Sequence, residues 1–166
     1  MTISIYSATL PMMTRQLTAL LRILEKAEAY AAERKFDVNV FVEDRLAPDM
    51  LPFKFQVQNA ADQVKFTAAR LSGKTPPAWP DDEKTFAELK ARIVKALDYA
   101  KTFTAEDLAG GDDREVTVKI GGQEKTITGE TYFLTRSLPN FYFHVTTAYD
   151  ILRHRGVPVG KGDFLA

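Results

Sequence analysis

The 166 residues carry 22 basic and 22 acidic side chains, and this balance gives no electrostatic reason to expect nucleic acid or an anionic membrane as a partner. There is no cysteine, which excludes disulfides, thiolate metal sites, cysteine nucleophiles and thiol redox chemistry. With 45% hydrophobic and 27% charged residues, the chain has the composition of a soluble globular protein and the length of a single domain over residues 1–166. Met1 to Ser7 lacks the basic segment, apolar stretch and cleavage site of a secretion signal. No apolar run approaches the roughly 20 residues of a membrane helix, so the expected location is the cytoplasm.

Met13, Leu17, Leu20, Leu21, Leu24, Ala27 and Ala31 recur at helical spacing and predict a first helix from about Pro11 to Arg34, with Thr9 as its cap. Phe36 to Val42 alternates in polarity and reads as an extended connector or a short strand. Asp49 is placed to cap a second helix, with Pro52 in its first turn. Phe53, Val57, Ala60, Ala61, Val64, Ala68 and Leu71 form that helix's apolar face, and Gly73 and Pro76-Pro77 end it. Gln56, Asn59 and Gln63 line a flank of the same face, with Asp62 close by. Amides in that position serve a ligand or satisfy one another and the backbone.

Ser72 to Asp82 is a turn-rich stretch that holds Trp79, either a lid over one end of the core or a pocket wall. Thr85 and Glu88 form a capping box, followed by the stripe Phe86, Leu89, Ile93, Ala96, Leu97, Ala100 and Phe103 of a third helix. Thr104 to Arg114 predicts a mobile loop. Glu115–Ile120 and Glu124–Thr128 alternate around Gly121-Gly122 as a β-hairpin, whose apolar side must lie against the helices or a second subunit. Tyr132 to Leu138 predicts a helical turn or two that Pro139 bends.

Pro139 and Gly156 bracket the last helix, with Phe141, Val145, Ala148 and Leu152 as its buried stripe and Asn140, His144, Thr147 and Ile151 beside it. His144 therefore belongs at the edge of a core, as a hydrogen-bonded packing residue or a metal ligand. Asn140, four residues earlier, faces the same side and offers an oxygen donor. His154 suits the helix C-terminus, and Asp150 and Arg153 suit a surface ion pair. In the tail, the glycines after Gly156 exclude continued helix, while Phe164 and Leu165 suggest docking. Four amphipathic helices with a hairpin before the last predict an all-α helical bundle.

The run Pro139-Asn140-Phe141-Tyr142-Phe143-His144-Val145-Thr146-Thr147-Ala148-Tyr149-Asp150-Ile151-Leu152-Arg153-His154, the tail Gly156 to Leu165, and Asp49-Met50-Leu51-Pro52 with Gln56 resemble a bacterial family of uncharacterised proteins. That family is grouped with the DinB/YfiT-like candidate metalloenzymes. The resemblance implies a DinB-like antiparallel four-helix bundle, commonly a homodimer. It also implies a divalent metal held by a histidine on the second helix and a His-x-x-x-His pair later. Some members with that site are metal-dependent thiol S-transferases. With the second paired histidine set on His144, the first falls on Asn140, and the second helix offers Gln56, Asn59, Asp62 or Gln63 in place of histidine. The implied site is thus His144, Asn140, Gln56 and Asn59, with His144 as the catalytic candidate. Its expected uses are a polar small-molecule pocket, a metal-dependent small-molecule transferase or hydrolase, or a non-catalytic binding or dimerisation module.

Overall fold

In the computed structural model, which describes residues 4–166, the apolar stripes become long helices that bury them. Met1 to Ile3, the beginning of the stretch read for a secretion signal, lie outside the described residues. A short helix α1 (Ile5–Ala8) leads into α2 (Leu10–Arg34), which buries Met13, Leu17, Leu20, Ile23, Leu24 and Ala27. Thr9 does not cap α2. Its hydroxyl instead donates to the Ile5 carbonyl at 2.7 Å, because α1 ends at that point.

The extended reading of Phe36 to Val42 is corrected: Val38–Phe41 is a 3₁₀ turn. The Asp37 carboxylate accepts from the Asn39 N–H at 2.9 Å, a local bond that competes with strand formation. Asn39 Oδ1 then accepts from the Phe86 N–H at 2.8 Å, which joins this turn to the next helix but one. Helix α3 (Phe53–Leu71) is not capped by Asp49. The N–H groups of Phe53 and Lys54 are met instead by the carbonyls of Asp44 and Val42, at 2.8 and 3.1 Å. Helix α4 (Phe86–Lys101) opens on the expected box, with Thr85 N–H donating to Glu88 at 2.8 Å and Glu88 N–H to the Thr85 hydroxyl at 3.3 Å.

Strands β1 (Glu115–Ile120) and β2 (Gln123–Thr128) pair antiparallel, Val116 opposite Ile127 and Lys119 opposite Glu124. Gly121 and Gly122 both have positive φ, +60° and +83°, as a tight two-residue turn needs. The hairpin packs in cis through Val116, which is buried with Leu10, Ala68, Leu71, Phe103, Leu108 and Tyr132. The preceding loop is pinned, with Leu108 buried and Gly129 and Glu130 N–H groups donating to Arg114 and Asp112 carbonyls at 2.7 and 2.8 Å.

Pro139 stands in the first turn of the last helix as expected, but the chain is already helical before it. α5 (Gly129–Tyr132), a π turn (Phe133–Ser137) and α6 (Leu138–His154) follow without a break. Proline has no N–H to give to the carbonyl four residues back, and the turn before it widens, with Leu138 N–H donating to Phe133 O. After Gly156 the tail forms α7 (Lys161–Leu165) on α2, where Gln16 and Arg15 donate to the carbonyls of Phe164 and Leu165 at 2.8 and 3.0 Å. α3 is the central element and packs most extensively on α6 and α4. The stacked rings of Phe53 and Phe86, 5.7 Å apart, mark its contact with α4. No helix among the described residues is long and apolar enough to cross a membrane.

Candidate functional site

His144 sits where α6 crosses α3, 9% exposed, between the edges of Phe143 and Phe55 at centroid distances of 5.4 and 5.9 Å. Its Nδ1 lies 2.8 Å from Oε1 of Gln56, and Gln56 Nε2 lies 2.8 Å from the Leu51 carbonyl oxygen. A carbonyl can only accept, so the amide nitrogen must face Leu51 and the amide oxygen must face His144. Nδ1 therefore carries the hydrogen, and Nε2 holds the free lone pair. Burial pushes the imidazole below its ordinary value, so the ring is neutral at neutral pH. Nε2 has no hydrogen-bond partner among the described residues. It is also not one of their enclosed side-chain atoms without a partner, such as Arg92 Nε and Arg114 Nε. A neutral imidazole held by its far nitrogen, with the near one open, can accept a proton or donate a lone pair.

The other residues picked from the sequence scatter along the α3–α6 seam. Asn59 Nδ2 donates to the Phe55 carbonyl of its own helix at 3.1 Å. Gln63 and Asn140 line a groove under the hairpin, Gln63 buried and Asn140 exposed. Asp62 belongs to a different cluster, 2.8 Å from Arg92 and 2.9 Å from Lys65. Asp150 forms no ion pair with Arg153 among the described residues, and burial raises its carboxyl above the usual range.

Sequence reasoning missed Arg92. Only 3% exposed, it contacts Asp62, Asp81 and Glu83 at 2.8, 2.9 and 3.0 Å and the Pro80 carbonyl at 2.8 Å. Trp79 lies against this cluster, with the charges of Lys65, Lys95 and Arg92 at 4.7, 4.7 and 5.2 Å from its rings, and its edge meets Tyr99. It behaves as the lid that its place between prolines suggested. The signal for Arg92 was present in its register: three residues after Leu89 and beside Ile93, it falls on the apolar stripe of α4.

The three-imidazole metal centre implied by the fold does not fit these donors. One imidazole nitrogen is free, Gln56 is engaged at both ends of its amide, and Asn59 donates to its own helix. Among the described residues no three His, Cys, Asp or Glu side chains converge as a metal cluster.

A mostly helical chain with a two-stranded hairpin before its last long helix, and one inward imidazole on that helix, defines a protein of the DinB-like fold. A crystal structure of a DinB family member from Shewanella denitrificans matches it with a TM-score of 0.90 and 40% sequence identity, over 97% of this chain and 91% of that one. The family model described as Domain of unknown function (DUF1993) matches residues 5–165, and the chain belongs to that family. No curated protein matches the sequence.

Proposed function

We propose that this chain is a cytoplasmic, homodimeric antiparallel four-helix-bundle protein whose α3–α6 seam takes a small-molecule ligand, with His144 Nε2 as the proton-accepting or ligand-contacting atom. The observation that carries this reading is the clamp Leu51 O to Gln56 amide to His144 Nδ1, which fixes one tautomer and leaves the other nitrogen open. A histidine serving packing alone has no need of a second-nitrogen vacancy facing water. Gln56 is a positioning residue here: it acts through the imidazole. The homodimer is supported by Phe143, whose ring meets the imidazole, and Leu51, whose carbonyl holds Gln56; they are 56% and 49% exposed and would be covered by a second copy.

Two measurements test this reading. In nitrogen-15 NMR of the imidazoles, His144 should show the Nδ1–H tautomer and titrate below the ordinary histidine value, and Gln56→Leu should release that preference. An Nε2–H ring in the wild type would sink the proposal. Divalent zinc or nickel, added to untagged protein, should leave the melting temperature unchanged. A stoichiometric rise that His144→Gln abolishes would replace this reading with the metal-dependent one, because a bound metal stabilises the folded form by mass action.

A further inference from the structure

Beside the seam, the hairpin, α3 and the π turn enclose a groove of about 470 Å³. One side is built on Arg70, whose guanidinium lies 4.6 Å from the Phe66 ring and 5.2 Å from the Tyr132 ring and donates to Tyr132 Oη at 3.0 Å. Stacking and one hydrogen bond hold this fork in place while most of its N–H groups stay available. Arg136 enters from the π turn and Lys119 from β1. None of these three cations has a carboxylate within ion-pair distance among the described residues, although ten such pairs form elsewhere in them. Glu124 is the one acidic side chain in the lining, so three cations face one anion, with Gln63 and Asn140 as neutral hydrogen-bonding groups.

Like charges gathered around one concavity repel, and a bound anion relieves that repulsion while the planar arginine fork favours two-oxygen groups. We propose that this groove binds the carboxylate or phosphate group of a small organic anion. The proposal also gives the seam a substrate class, and that link rests on the His144 reading above. Asn140, at the groove's edge, lies one helical turn, about 6 Å of axial rise, from His144, so the groove and the imidazole occupy neighbouring turns of α6.

The test is calorimetric titration at constant ionic strength with inorganic phosphate, pyrophosphate and citrate. The expected result is saturable one-site binding by at least one of them, phosphates and citrate separating the two chemistries. Arg136→Met should weaken it about tenfold, the loss typical of a charge-assisted contact, without lowering the melting temperature, since Arg136 is exposed. Arg153→Met, which removes an exposed charge on α6 outside the groove, should bind like the wild type. No saturable binding to any probe, or equal weakening in R136M and R153M, overturns the proposal. Undiminished binding in His144→Gln supports the groove by itself, even where the imidazole reading has failed.

Discussion

Two buried polar arrangements meet α3, and they differ in how completely they are satisfied. Around Arg92, three carboxylates and a carbonyl surround one guanidinium, Gln58 donates to Glu83 at 2.8 Å, and Trp79 covers the cluster. Around His144 there is one partner, Gln56, and one nitrogen without any. Burial of a polar side chain is common to both. Each leaves one atom over after the hydrogen bonds are counted, and what separates a strut from a candidate site is that Arg92 Nε is enclosed whereas His144 Nε2 is not.

The contrast can be broken most directly at Arg92. Arg92→Met should cost about 3 kcal/mol in urea unfolding, because Asp62 and Glu83 lose their shared cation beside the core and keep only Lys65 and Gln58. A loss below about 1 kcal/mol would mean that the cluster is as loosely held as a surface pair and the comparison is false. Gln56→Leu should cost less, about 1–3 kcal/mol by the same measurement, since it strips partners from His144 Nδ1 and the Leu51 carbonyl. Thr85→Ala, which touches neither arrangement, sets a reference of about 1 kcal/mol for losing a helix cap.

The smallest expected effect is the pH response of the imidazole. Burial holds the folded value of His144 below the 6.5 of a free histidine, so between those two values the unfolded chain binds more protons. The contribution is therefore fully present above pH 6.5 and is lost as pH falls through the folded value. Urea midpoints between about pH 7.5 and 5.5 should decline in the wild type and flatten in His144→Gln. An unchanged slope in the variant would show that the imidazole is not the group responsible.

Much of the helical frame is legible in the sequence because each long helix repeats its apolar residues at one period, as with Leu17, Leu20 and Leu24 or Phe53, Val57 and Val64. Asp49 looked like a cap because its residue type suits one. The groups that meet the α3 N-terminus are main-chain carbonyls of Val42 and Asp44, which carry no side-chain signature. Phe36 to Val42 alternates like a strand, but Asp37 closes a local bond that periodicity does not register. At the site, an inward His144 near the amides of α3 follows from helical spacing alone. Which amide meets it depends on how far α6 slides along α3, a tertiary quantity, and so Gln56 could not be separated from Asn59 and Gln63.

The wide turn at Phe133–Ser137 has a consequence for any insertion or deletion in this region. A π turn holds about one residue more per revolution than an α-helix, so removing one residue there would return the turn to ordinary helix and leave everything downstream at nearly its present bearing, whereas a deletion between that turn and His144 would swing the imidazole by about 100°. The chain shortened within the wide turn would keep nearly all of its circular-dichroism signal, and its imidazole would still meet Gln56. The wide turn absorbs one surplus residue, and position 144 keeps the bearing it would have without it.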